Sequence, residues 1–150
     1  MKIFTSAQIH ELDKYTIENE PIKSIDLMER AAMELTSAIT KLADADTKFV
    51  IFAGPGNNGG DALAVARMLA VDGYEVAAWL FNTTGRLSPD CRTNRDRLNE
   101  AKKLKSFVMV TDEFDPPVLD ANTIAVDGPF GSGLNKPLTE GLASLVKYIN

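Results

Sequence analysis

The sequence predicts a Rossmann-like α/β fold, a three-layer α/β/α sandwich with a mainly parallel sheet. Three observations support this prediction: short apolar segments alternate with helix-like segments, turn residues bound them, and glycine-rich loops follow two of them. Strands that alternate with helices form parallel sheets through right-handed crossovers. The commonest doubly wound order, 3-2-1-4, makes the first and fourth strands neighbours, so that the loops at their carboxyl ends face one crevice.

Two helices are predicted before the first strand. Thr5 and Gln8 have the spacing of a capping box, and Pro21 closes the segment that follows. Ser24 is predicted to cap the second helix. Apolar residues recur there at alternating spacings of three and four, so one face must pack against the rest of the domain. These residues are Ile25, Met28, Ala32, Leu35, Ile39 and Leu42.

The remaining chain alternates between strands and helices. Residues 48–53 show no alternation, with an unbroken apolar run after Lys48 that ends at Gly54, which is typical of a strand covered on both faces. Strong helix formers at 62–71 lead to Gly73, where a left-handed cap is expected. Ser88 is predicted to cap the next helix, with a proline and an acid in its first turn. Further strands are predicted at 75–81, 106–110 and 123–127, and a closing helix at 138–149.

Composition limits the functions that this chain can have. Its 150 residues, 45% of them hydrophobic, predict one domain, and a net charge of -5 without a basic stripe argues against nucleic acid as a partner. Cys91 and His10 are the only residues of their types, which excludes an internal disulfide and a Cys/His zinc cluster. Neither a signal core nor an apolar run long enough for a bilayer is found, so we expect a cytoplasmic protein without membrane contact.

The first glycine loop, residues 54–61, follows a strand and opens a helix, so its backbone N–H groups can bind an anion. A P-loop is excluded, because Gly60 and Asp61 stand where Lys and Ser/Thr must bind phosphate and magnesium. The loop also has the spacing of a dinucleotide fingerprint, but the second strand ends in Phe81 and Asn82 rather than in an acid for a ribose hydroxyl.

A plain turn is the third interpretation of the first glycine loop. Asn57 and Asn58 would then only tolerate positive φ, and Asp61 would cap the next helix. Two asparagines, four glycines and an acid within eight residues exceed what such a turn requires. This composition favours a binding loop.

The run Gly-Pro-Gly-Asn-Asn-Gly-Gly-Asp, followed by Ala-Leu-Ala-Val-Ala-Arg, closely resembles the signature of the YjeF N-terminal domain, the NAD(P)HX epimerase family. Residues 126–134 are similar to the second signature of that family, and residues 24–32 to its early helix. Ala62 and the pair Gly128-Pro129 depart from the usual residues. Because family members continue beyond the position of Asn150, we interpret the chain as truncated and expect weak or absent activity from it alone.

The resemblance implies epimerisation of the R and S forms of hydrated NADH and NADPH, with one K⁺ per subunit. It implies that Asn58 and Asp127 bind this ion, and hard oxygen ligands suit such a cation better than zinc or copper. The implied partners are a second copy of the chain and an ADP- or ATP-dependent dehydratase, fused or separate. The implied substrate contacts are Asn57, Asn58, Gly59, Gly60 and Asp61, together with Gly131, Ser132, Gly133, Leu134, Asn135, Lys136 and Pro137.

Asp127 is our candidate for the proton shuttle. Partial burial at the end of the fourth strand would raise the pKa of its carboxyl toward neutrality. A loop cap is the alternative role for this residue. For the whole chain, the alternatives are a noncatalytic binding module, as in the YjeF-like domain of an mRNA-decapping scaffold, and an oxidoreductase. The fold does not separate them, but the retained Asn-Asn-Gly-Gly-Asp and Val-Asp motifs favour the isomerase.

Overall fold

The computed structural model describes residues 3–83, 85–131 and 140–149. Four strands form one sheet in the order β3-β2-β1-β4, and every pair of neighbours is parallel. The predicted α/β class and strand order are confirmed. The elements are α1 (Ser6–Asn19), α2 (Ser24–Thr40), β1 (Lys48–Ala53), α3 (Asn57–Val71), β2 (Glu75–Phe81), α4 (Pro89–Ala101), β3 (Ser106–Val110), β4 (Thr123–Gly128) and α5 (Glu140–Ile149).

The sheet has an apolar core on each face. Phe49 and Ile51 of β1 pack in the larger core, which includes residues of α2, α3 and α4. Val50 and Phe52 pack in the smaller core on the opposite face, which includes Leu145 of α5. The alternating side chains of β1 are therefore buried on both sides, as its unbroken apolar run predicts. No helix in the described part of the chain is long and apolar enough to cross a membrane.

The first two helices differ in how they meet the core. The capping box of α1 is present, with Gln8 N–H donating to the hydroxyl of Thr5 and the Gln8 side chain accepting from Thr5 N–H. None of the residues of α1 is buried. The prediction that Ser24 caps α2 is wrong: Lys23 is the cap, and the hydroxyl of Ser24 instead donates to Asp90 at 2.6 Å.

The buried stripe of α2 also differs from the prediction. Met28, Ala32 and Thr36 are buried at a constant spacing of four, whereas Leu35 is 48% exposed. Leu42 lies beyond the end of the helix and is 80% exposed. The reason is that α2 packs mainly on α3 through one narrow line, along which the hydroxyl of Thr36 donates to the Met68 sulfur at 3.6 Å.

Helix α3 begins five residues before its predicted start of 62. Its first turn contains Asn57, Asn58, Gly59 and Gly60, which are weak helix formers, and Gly56 is its cap. Contacts from the loop after β4 and from α4 hold this turn. Gly73, after the helix, has φ +98°, as expected for a left-handed position. Ser88 caps α4 as predicted, since its hydroxyl accepts from Cys91 N–H.

Candidate functional site

The two glycine loops meet at the carboxyl ends of β1 and β4. The N–H of Gly54 donates to the carbonyl oxygen of Gly128 at 3.0 Å, and the Asn58 side-chain amide donates to the Phe130 carbonyl at 2.7 Å. A Cβ on Gly54 would overlap the carbonyl oxygen of Pro129. This close approach requires glycine, and it brings together the two motifs that sequence reasoning placed across one crevice.

The first turn of α3 provides backbone donors at this crevice. The first helical bond runs from Gly60 N–H to the Gly56 carbonyl, at 3.1 Å. The N–H groups of Asn57, Asn58 and Gly59 therefore precede the helical bonding pattern and have no acceptor within the helix. No side chain in the described part of the chain caps this end. Together with the helix dipole, these groups make the turn suitable for an anion.

The predicted substrate contacts of the first loop differ in their exposure to solvent. Asn57 is exposed, Asn58 and Asp61 are half-buried, and Gly59 and Gly60 are buried. Gly131 is exposed, and a Cβ added there would lie 3.2 Å from that of Asn58. The other predicted contacts in the second loop lie outside the described residues. They are Ser132, Gly133, Leu134, Asn135, Lys136 and Pro137.

Asp127 lies in β4 and pairs in register with Phe52 of β1, at the edge of the crevice. The partial burial that we predicted for it is wrong, because its side chain is exposed. The physical reason is the strand order, in which β4 has only one neighbour among the described strands and is less covered than β1. The described residues therefore leave the side chain of Asp127 more exposed than the proton-shuttle role assumed.

Asp61 has the environment that was expected for Asp127. The pKa of its carboxyl is raised from 3.8 to about 6, mainly by burial, and the charges of Asp13 and Asp90 contribute in the same direction. Asp13 belongs to α1 and Asp90 to α4, so three separate helices contribute to this effect. An acid of this kind can exchange a proton close to neutral pH.

The oxygen atoms at the crevice suit a hard cation. The amide nitrogen of Asn58 is bonded to the Phe130 carbonyl, which leaves its side-chain oxygen as an acceptor, and Asp127 adds an exposed carboxylate. Within the described ranges, no group of three or more His, Cys, Asp or Glu residues could hold a metal ion. An amide and one carboxylate fit an alkali cation better than a transition metal.

Residues 24–150 match the protein family described as YjeF-related protein N-terminus. This chain belongs to that family. The match covers both glycine loops and begins at the first residue of α2. The structural comparison agrees, because the crystal structure of the yeast protein ynu0 (YNL200c) superposes with a TM-score of 0.74 at 25% identity, over 98% of this chain and 64% of the yeast chain.

Curated members of the YjeF-related family are similar along nearly the whole chain. The NAD(P)H-hydrate epimerase of Limosilactobacillus fermentum is 33% identical over 146 residues, covering 97% of this chain and 67% of that protein. The protein of the same name from Oenococcus oeni is 36% identical over 148 residues, with the same coverage, 97% and 67%. The one from Rhodobacter capsulatus is 33% identical and 66% covered. The chain thus spans about two thirds of the length of these relatives.

Sequence reasoning missed one buried polar residue beneath the first glycine loop of this YjeF-related domain. Asn94 of α4 is fully buried, and its side-chain amide donates to the Gly60 carbonyl at 3.2 Å. A signal was available, because Cys91, Asn94 and Leu98 have helical spacing and are the three buried residues of α4. Burial also raises the pKa of the Cys91 thiol to about 11, so little reactive thiolate forms there at neutral pH.

Proposed function

We propose that this chain has the activity for which its curated relatives are named, the epimerisation of hydrated NADH and NADPH. The observation that supports this most is the bond between Asn58 and the Phe130 carbonyl, at 2.7 Å, which joins the two glycine loops of one crevice. That crevice lies where doubly wound sheets bind nucleotides, at the carboxyl ends of adjacent strands on either side of the reversal in strand order.

The proposed reaction exchanges a hydroxyl group at C6 of the hydrated ring. The ring nitrogen donates its lone pair, the protonated hydroxyl leaves as water, and water then adds to either face with loss of a proton. The N–H groups at the start of α3 would bind the diphosphate and orient the ring. Asp127 is the proposed proton shuttle, and a bound nucleotide would exclude water from its exposed carboxylate.

Potassium is the proposed ion, with Asn58 and Asp127 as its ligands from the described residues. When bound, it would offset the negative charge of Asp127 beside a diphosphate. A second copy of the chain and an ADP- or ATP-dependent dehydratase are the proposed partners. The dehydratase is the class of enzyme that would consume one epimer, and a cytoplasmic location would place both proteins with their substrates.

The test is to incubate the 150-residue chain with R-NADHX and follow the S epimer by chromatography, in K⁺ and in tetramethylammonium buffers. Asp127→Asn is compared with Asp112→Asn, which changes an exposed acid of the β3–β4 connection in the same way. In keeping with the weak activity expected of the chain alone, we expect slow conversion by the wild type in K⁺, the same rate for Asp112→Asn, and a rate at least a hundredfold lower for Asp127→Asn. Binding of ADP-ribose without any conversion would instead support a noncatalytic binding module.

A further inference from the structure

Helix α4 and its N-cap residue present a row of three donors to the first glycine loop. The N–H of Ser88 donates to the Pro55 carbonyl at 2.9 Å, and the thiol of Cys91 donates to the Gly54 carbonyl at 3.6 Å. The side-chain amide of Asn94 follows, donating to the Gly60 carbonyl at 3.2 Å. These donors are spaced three residues apart and therefore lie along one side of α4. They hold both ends of the loop.

These contacts determine which way the loop directs its backbone groups. In a planar trans peptide, a carbonyl and the following N–H point in opposite directions. Because the Pro55 carbonyl is turned toward Ser88, the N–H of Gly56 points away from α4. The donors of α4 thus engage carbonyl oxygens that would repel an anion, and they favour a loop whose N–H groups face the crevice.

The side chain of Asn94 is unfavourable for the stability of the folded protein. This side chain is fully buried, and its oxygen has no hydrogen-bond partner among the described residues. An unpaired buried acceptor lowers stability, which an apolar side chain of similar size would not do. Its nitrogen donates to the Gly60 carbonyl and to the Met28 sulfur, the latter at 3.2 Å. A buried polar side chain that lowers stability and fixes a binding loop indicates a functional requirement.

The glycine at position 60 allows this contact. A Cβ there would lie 2.9 Å from the Met28 sulfur and 3.2 Å from the Cα of Cys91. Helices α2 and α4 therefore approach the first turn of α3 so closely that the short Asn94 side chain reaches its backbone. The glycine at 60 and the amide of Asn94 are complementary, because a bulkier residue at 60 would push α4, and with it the Asn94 amide, away from the loop.

We infer that Asn94 is a positioning residue for anion binding: it holds the Gly60 carbonyl and thereby fixes the turn whose N–H groups bind the diphosphate of the substrate. The inference rests on the proposed function for the identity of the nucleotide. It does not depend on chemistry at the reacting ring. Asn94 acts through the backbone of the first glycine loop and does not itself touch the ligand.

The test compares Asn94→Leu with Asn99→Leu, the same change at an exposed position of the same helix. The probe is ADP-ribose, which has the diphosphate but lacks the reacting ring, and its affinity is measured by calorimetry. For Asn94→Leu we expect about tenfold weaker binding, faster amide hydrogen exchange in residues 54–61, and an unchanged or higher unfolding midpoint. If R-NADHX is turned over, KM should rise more than kcat falls. Asn99→Leu should match the wild type throughout.

Asn94→Asp adds a readout that a merely structural role would not give. A protonated carboxyl can donate to the Gly60 carbonyl, whereas a carboxylate cannot. Binding of ADP-ribose, relative to wild type at the same pH, should therefore be weak at pH 8 and recover toward pH 5.5. The wild-type reference removes the effect of Asp61, which follows Gly60 in the chain and has a pKa raised to about 6.

Unchanged amide exchange and unchanged ADP-ribose affinity in both Asn94 variants would overturn the inference. Failure of both variants to fold would also overturn it, since Asn94 would then be needed for the fold as a whole. Absence of epimerisation by the wild type would contradict only the proposed function, because exchange and ADP-ribose binding still test the role of Asn94.

Discussion

The side-chain amide of Asn58 donates to the main-chain carbonyl of Phe130 at 2.7 Å, joining residues 72 positions apart. Asn58→Leu keeps the size of the side chain but leaves this half-buried carbonyl without its donor. We expect a loss of about 1 to 2 kcal/mol in the free energy of unfolding, measured by urea denaturation, together with loss of ADP-ribose binding. Asn57→Leu changes the exposed neighbour and should leave stability unchanged. Equal stabilities of the two variants would show that the bond contributes nothing.

Gly54 and Gly56 lie two residues apart but should respond differently to an added methyl group. In Gly54→Ala the new carbon would overlap the Pro129 carbonyl oxygen, so the two loops must separate. We expect a loss of about 2 kcal/mol or more in the free energy of unfolding, and weaker ligand binding. Gly56→Ala meets nothing within 4 Å, so it should be neutral in chemical denaturation. A Gly54→Ala variant as stable as Gly56→Ala would contradict the close approach of the loops.

Asp61 should make stability depend on pH. Its pKa is about 6 in the folded protein, against 3.8 without the environment of the fold. Because the folded state holds the proton more tightly, its stabilising contribution is complete below about pH 4 and is lost as the pH rises through about 6. Asp61→Asn removes this titration. Between pH 4 and 6, the free energy of unfolding of the wild type should therefore fall relative to that of the variant. Above pH 6, the difference between the two should stay constant.

The control for Asp61 is a second variant on a different helix. Asp13→Asn removes one of the charges that raise the Asp61 pKa, so it should shift the same transition to lower pH without abolishing it. Parallel stability curves for the wild type and Asp61→Asn across this range would contradict the assignment.

Cys91 should be unreactive in the folded protein. It is fully buried, and its pKa is raised to about 11, so little thiolate forms at pH 8. We expect reaction with a thiol reagent such as dithionitrobenzoate only at the rate of unfolding, and rapid reaction in urea. Fast reaction of the native protein would show that α4 opens from the first glycine loop.

The fold was predictable because its signals are local and redundant. The run at residues 48–53 needs both faces covered whatever packs there, and alternation with helices leaves few topologies. The early start of α3 was missed because its weak helix formers are held by contacts from the loop after β4 and from α4. Local propensity contains no information about such partners.

The position of the first glycine loop was predictable from the sequence, whereas the pKa and the exposure of the acidic side chains were not. Glycine spacing identified the loop from 54 to 61, because close approach demands that residue type. The raised pKa of Asp61 depends first on its burial and then on the charges of Asp13 and Asp90, and all three arise only through tertiary packing. The exposure of Asp127 depends likewise on the edge position of its strand. A short stretch of sequence shows neither the surroundings of Asp61 nor the edge position of the strand that contains Asp127.

The pairing of β1 with β4 has a consequence for the order in which the molecule forms. The segment from β1 through β2 and β3 joins elements that follow one another in the chain, whereas β4 must return to β1 after all of them. Closing long loops is slow relative to local pairing. The crevice should therefore be among the last regions to assemble during refolding, so that recovery of ADP-ribose binding marks completion of the native topology rather than collapse of the core.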